Sequence, residues 1–332
     1  MGTKPVLVHR NGPALRDRIG KGVSIAVIDS GFHPGHPHLG PIAGGVGLTP
    51  DGDMHDDLVD RLGHGTAVTA AIQEKAPGAE VFAVRVFHEV LATSARTLAQ
   101  AIDWASDEGC RLVNLSLGTP HAFRAEDLGP AISRAVERGT IVIAAFEHEG
   151  EPWLPGSLPG AIGVRLDWEV PRDAVRIESR GTVRALFVSG YPRPIPGVPP
   201  ERNLKGISFA VANATGMIAL ALEGHPDART SGAAITALSV GGRPSSAADT
   251  PIREPAFSDV DSAPPPATRS SRVRTTASSL RIVASSRSWL SSWGRVNQVA
   301  RYAVMVPNRS TPIVIRAIAT PRPCGVTGTM SP

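Results

Sequence analysis

VSIAVIDSG, Val23–Gly31, decides the architecture. Six residues of it, Val23–Ile28, form an apolar run with Ser24 as its one polar member. A run that short and that nearly continuous reads as a strand covered on both faces. Asp29 and the turn-forming pair Ser30-Gly31 then close it. The same signature recurs at Glu80–Phe87, Arg111–Leu117, Thr140–Ala145 and Ala161–Val164. Helical patterns lie between these strands, at His64–Lys75, Ser94–Glu108 and Asp127–Arg138. Gly109 and Gly139 stand where helix C-terminal glycines belong. Strands alternating with helices of this length predict an α/β fold of three layers, αβα, around a mostly parallel sheet. In such a sheet the chemistry gathers just past the carboxyl ends of the strands.

The chain has 332 residues and 42% apolar content, enough for one large domain with a sizeable core. No apolar run approaches membrane-spanning length, so no membrane partner is expected. The first twenty residues lack the apolar segment of a secretory signal. Two cysteines in unrelated contexts, Cys110 and Cys324, make neither a disulfide framework nor a zinc site. Cys110 reads as a small core residue, and a cytoplasmic protein is the expectation.

The net charge of +4 conceals an asymmetry. Residues 225–332 carry 13 Arg, no Lys and 5 acidic residues, a net of +8, which leaves residues 1–224 at −4. The same tail holds 17 Ser and 12 Pro with little amphipathic period. Such a composition buries too little apolar surface to offset its ordering entropy. The expected organisation is therefore an N-terminal arm (1–20), a folded domain (21–224) and a largely irregular tail (225–332). Within the tail, Tyr302–Val306 and Pro312–Ala319 read as short strands at most. An arginine-rich tail raises nucleic acid as a partner, but no aromatic-interleaved motif or recognised module accompanies it.

Five segments, at strand ends or helix starts, carry candidate chemistry. Asp29 ends the first strand, where a carboxylate can orient a histidine or simply form a turn. His64 opens a helix between two glycines, with a closely approachable ring whose ordinary pKa suits general-base work at neutral pH. Leu115-Ser116-Leu117-Gly118 ends another strand, either as plain core or as a backbone edge that pairs with an extended peptide. Glu147-His148-Glu149 forms a polar cluster after Thr140–Ala145. Finally, KGISFAVANATGMIAL (Lys205–Leu220) places Ser208 in the first turn of an apolar helix, as a cap or as a nucleophile.

Taken in order, AVIDSG, GHGTAV and GISFAVANATG resemble the aspartate, histidine and serine motifs of the subtilisin-like serine peptidases, over roughly residues 20–222. The third aligns without gaps to Gly-Thr-Ser-Met-Ala-Ser-Pro-His-Val-Ala-Gly. Asp…His…Ser is also the chain order of subtilisin. The resemblance implies a subtilisin-like fold and a serine endopeptidase acting on peptide or protein substrates without a cofactor or catalytic metal. It makes Asp29 the orienting carboxylate, His64 the base and Ser208 the nucleophile. Leu115, Ser116, Leu117, Gly118, Ala145, Phe146 and Glu147 would border the substrate.

Several residues depart from that pattern. His148 stands where the family carries an oxyanion-binding asparagine; either its ring N–H substitutes as donor or the oxyanion site is weakened. Glu147 replaces a glycine at the wall of the primary specificity pocket, where it would favour a basic residue or point to solvent. Ile207 replaces threonine, and Asn213 a structural histidine. About 20 residues precede the first core strand, too few for an export signal and a propeptide, which implies an intracellular enzyme. The acidic stretch DGDMHDDLVD, Asp51–Asp60, reads as a solvated loop in preference to a calcium site. The alternative function is a weak or inactive peptidase-fold protein that holds a peptide in its cleft.

Overall fold

The computed structural model describes residues 3–148, 150–180, 183–240 and 243–244, all within one compact unit. The first half of the chain runs β1 (Thr3–His9), β2 (Ser24–Asp29), β3 (Gly44–Leu48), β4 (Met54–His55), α1 (His64–Lys75), β5 (Glu80–Arg85), α2 (Ala95–Asp107), β6 (Leu112–Leu115) and α3 (Ala125–Glu137). The second half runs β7 (Ile141–Ala145), β8 (Glu147–His148), β9 (Glu151–Pro152), β10 (Ile162–Leu166), β11 (Ala174–Arg180), β12 (Val183–Val188), α4 (Ile207–Glu223), α5 (Ser231–Ser239) and β13 (Arg243–Pro244). No helix among the described residues is long and apolar enough to cross a membrane.

Eleven of these strands form one sheet in the order β13-β1-β11-β12-β10-β7-β6-β2-β5-β3-β4. From β12 to β3 the pairing is parallel; the flanks are antiparallel. Alternation along β2 shows why its interior, Ile25–Ile28, is apolar throughout. Ile25 and Val27 face a core shared with α1, α4 and α5, while Ala26 and Ile28 face a second core under α2 and α3. This is the expected three-layer arrangement. The helix ends also agree with the sequence. Ser94 caps α2 by accepting from Thr97 N at 3.0 Å, and Gly109 and Gly139 take left-handed φ values of 72° and 77° just past α2 and α3.

α4 is covered on every side: each residue from Ile207 to Leu222 is buried. It packs against α1 and α5 and over β6, β7, β10 and β12. A helix in that position has no polar face to present, which explains its run of small and apolar residues. The packing also corrects two expected boundaries. The folded unit does not stop at 224, because α5 follows, capped by Thr230, and buries Ala234, Ile235, Ala237 and Leu238. Nor is the segment before residue 20 a separate arm, because β1 pairs with β11 and buries Val8. The remainder of the expected tail, with Tyr302–Val306, Pro312–Ala319 and Cys324, lies outside the described residues. Cys110 is core: burial pushes its thiol pKa up to about 12, with Glu108 adding to the shift, so it is no nucleophile near neutral pH.

Candidate active site

Parallel strands bring their carboxyl ends to one edge of the sheet. That edge collects Asp29 from β2, Ser116–Gly118 after β6, Phe146–His148 after β7, and Ser189–Tyr191 after β12. Two helices start there: α1 with His64 as its first residue, and α4 with Ser208 as its second.

Asp29 and His64 meet directly. Both carboxylate oxygens lie within hydrogen-bond distance of His64 Nδ1, at 2.8 and 2.9 Å, and Ser30 N donates to Asp29 Oδ1 at 2.7 Å. The carboxylate is inaccessible and the ring nearly so. Burial disfavours the imidazolium, but the charge and hydrogen bond of Asp29, with Asp60 behind, outweigh it. The net effect raises the His64 pKa above its ordinary 6.5. With Nδ1 turned to Asp29, Nε2 is left buried without a hydrogen-bond partner. An orphaned buried acceptor of that kind calls for an explanation, and a proton relay is one.

α1 begins at His64 because the chain before it is pinned. Gly63, the cap residue, has a left-handed φ of 81° and offers no side-chain cap. Asp60 serves instead. Its Oδ1 accepts from Leu62 N (2.9 Å) and Gly63 N (2.7 Å), and its Oδ2 from Thr66 N (2.8 Å) and Thr66 Oγ1 (2.6 Å). A carboxylate over a helix N-terminus also meets the positive end of its dipole. Gly65 N donates to Ser30 Oγ at 2.8 Å, which ties α1 to the end of β2. The approach is close enough that a Cβ at Gly65 would stand 2.4 Å from the Gly31 carbonyl oxygen. Asp60 is thus the one acidic residue of the 51–60 stretch that is not solvated: it is 5% exposed. Asp57 pairs with Arg61 and Arg85 at 2.8 and 2.7 Å.

Ser208 is held by a buried polar chain. Thr215 Oγ1 donates to Asn114 Oδ1 (2.9 Å), Asn114 Nδ2 to Ser116 Oγ (3.0 Å), and Ser116 Oγ to the Ser208 carbonyl (2.9 Å). The Ser208 hydroxyl itself donates to the Ser116 carbonyl at 3.0 Å, and not to His64. Its neighbour Phe209 places its ring centroid 6.1 Å from that of His64. Asn213 Nδ2 donates to the carbonyls of Ser189 and Tyr191, both at 3.0 Å, and Gly206 N donates to Gly190 O at 2.9 Å. So the asparagine at the expected structural-histidine position fastens α4 to the segment after β12.

The two walls of the expected cleft differ from expectation. β6 has no open edge over Leu112–Leu115, because β2 and β7 pair with its two sides, and Leu115 packs in the core toward α2 and α3. Ser116 and Leu117 are buried beyond it. On the other wall, Ala145 ends β7, buried. Glu147 forms an ion pair with Arg165 of β10 at 2.9 Å, and the Arg165 guanidinium lies over the Phe146 ring at 4.5 Å. Phe146 and Glu147 are thus engaged by β10, and the Glu147 charge is already matched. His148 sets its ring edge-on to Trp153 at 5.3 Å; Glu149 lies outside the described residues. Trp153, which the sequence did not single out, lies between the two walls.

Known proteins resemble this chain in sequence and in fold. The model of the subtilase family matches residues 20–150. Subtilisin Savinase from Lederbergia lenta is 31% identical over 219 residues, covering 62% of this chain and 76% of Savinase. The chain belongs to the subtilase family. As a subtilase it is a serine-type peptidase by kinship, with peptides or proteins as the substrate class. It spans 53% of a second relative, the alkaline protease of Alkalihalobacillus alcalophilus, at 31% identity. Among solved structures, the nisin leader peptidase NisP from Lactococcus lactis shares the fold. Its TM-score is 0.52 at 21% identity, covering 67% of this subtilase and 83% of NisP.

Proposed function

We propose that this subtilase is a serine endopeptidase that forms an acyl-enzyme on Ser208, with His64 as general base and Asp29 as its orienting carboxylate. One observation carries the reading: His64 Nδ1 is held by both oxygens of a buried Asp29, while Nε2 is left without a partner beside the helix that bears Ser208. For the reaction, the Ser208 hydroxyl has to leave the Ser116 carbonyl and turn about its Cα–Cβ bond to that nitrogen.

The chemistry then follows. Ser208 Oγ adds to the scissile carbonyl carbon as its proton passes to His64 Nε2, and Asp29 stabilises the imidazolium. The negative oxygen meets the N-terminus of α4, whose free N–H groups and dipole favour it, and His148 is the candidate second donor. Collapse breaks the C–N bond and the leaving amine takes the proton from His64. Water, deprotonated by the same imidazole, then cleaves the ester to the carboxylic acid and restores Ser208.

A fluorophosphonate probe tests this. It should label the folded protein at Ser208, and Ser208→Ala should abolish both labelling and peptide hydrolysis. A folded protein that resists the probe and cleaves nothing in a peptide library would overturn the reading.

A further inference from the structure

The hairpin of β8 and β9 folds the chain back so that residues 152–154 run between the two walls. Trp153 N donates to the Phe146 carbonyl at 2.8 Å, on the wall that follows β7. One residue on, Leu154 exchanges both backbone hydrogen bonds with Thr119, at 2.8 and 3.0 Å, on the wall that follows β6. The indole of Trp153 therefore fills the space from one wall to the other. It lies flush on Gly118, where a Cβ would stand 2.8 Å from Trp153 Cε3, and it meets the edge of the His148 ring. Only 7% of Trp153 is exposed.

The position of the indole bears on substrate choice. The Ser208 hydroxyl touches one wall, at the Ser116 carbonyl, and the candidate oxyanion donor His148 stands on the other. A substrate residue whose carbonyl is attacked must reach across both. Its side chain then drops between the walls, into the volume the indole occupies. We infer that Trp153 is the specificity-determining residue of this cleft, and that it restricts the residue preceding the scissile bond to glycine, alanine or serine. Glu147 does not select a basic residue at that position, because Arg165 holds its carboxylate. The inference rests on the peptidase reading of Ser208.

A library of peptides differing only at the residue before the cleaved bond tests it. Wild type should cleave after Gly, Ala and Ser, and more than about 100-fold less well after Leu, Phe or Lys, the discrimination expected when a side chain has no room. Trp153→Ala should raise kcat/KM for the Leu and Phe substrates, relative to the Ala substrate, by a similar factor. Trp153→Leu, which keeps more of the packing, should give an intermediate profile if the alanine variant fails to fold. Wild type cleaving after Phe or Lys as readily as after Ala overturns the inference, whatever the variants do. Should the fluorophosphonate test fail and nothing be cleaved, binding decides. Tetrapeptides ending in Gly, Ala, Leu or Phe are titrated against wild type and Ser208→Ala, followed by indole fluorescence. Preference for the small C-terminal residues supports the filled pocket even in a non-hydrolysing protein, and equal or absent binding of all four overturns it.

Discussion

Removing the Asp60 carboxylate should damage both the fold and the base. Four hydrogen bonds converge on it, three from backbone N–H groups at the start of α1 and one from the Thr66 hydroxyl. Asp60→Ala leaves those donors in a nearly closed site, with little water to replace the acceptor. Hydrogen bonds to a charged group contribute about 1.5–3 kcal/mol each, and a lost helix cap costs about 0.5–2 kcal/mol. The four act as a unit, so a total of about 3–4 kcal/mol is expected. For a domain of this size that lowers the midpoint of thermal unfolding by roughly 10 °C. Asp60→Asn should cost less. Its oxygen still serves Leu62 and Gly63, but its amide opposes the Thr66 N–H and its charge no longer supports the His64 cation. The assays are thermal unfolding by circular dichroism and kcat/KM against pH on the same samples. In Asp60→Asn the acid limb of kcat/KM should move down, because one of the charges that raises the His64 pKa is gone. An alanine variant melting within about 1 °C of wild type, with unchanged turnover, would refute the claim that Asp60 sets the start of α1.

Two further perturbations read other buried charges. His64 must be neutral to act as base, and its pKa is raised, so kcat/KM should fall on the acid side with a midpoint above 6.5. Asp29→Asn should move that limb down while turnover drops on the order of 10⁴-fold. The same raised value means that the His64–Asp29 pair stabilises the folded state fully below pH 6.5. That gain is lost as pH rises through the folded pKa, and melts across the range should show it in wild type but not in Asp29→Asn. Lys75, at the end of α1, is 3% exposed; its pKa is lowered to about 8, chiefly by burial, despite Glu74 at 3.8 Å and the charge of Asp173. A buried ammonium then disfavours folding below pH 8, and the penalty fades toward 10.5. Lys75→Met should stabilise the protein by about 3 kcal/mol at pH 7 and by little near pH 10.5. A gain that does not change with pH counts against the assignment.

The sequence made the parallel centre of the sheet legible because strands buried on both faces are apolar at most positions in succession. β2, β5, β6, β7 and β10 carry that mark, interrupted only by a few polar residues such as Asn114 and Arg165. β11 does not: Val175 and Ile177 alternate with Arg176 and Glu178, and such a pattern needs its neighbours before it can be read as a strand. α5 escaped notice because its Gly-Ala-Ala-Ile-Thr-Ala-Leu stretch was averaged into a Ser/Pro-rich tail. Asp29, His64 and Ser208 were legible as motifs because each sits at the end of a strand or the start of a helix. Asp60 was hidden by the carboxylates around it; the signal was its place three residues before the glycine that caps α1. Trp153 had no local signal at all. Its position follows from the hairpin that returns the chain across the cleft.

α4 is buried along its length, so the proposed nucleophile belongs to a block expected to melt last. Amide protons of Ile207–Leu222 should then exchange with deuterium only through global opening. Heat should extinguish peptidase activity at the temperature where tertiary structure goes, with no earlier loss from a loosened catalytic loop. In this molecule, the proposed nucleophile and the keystone of the fold share one element.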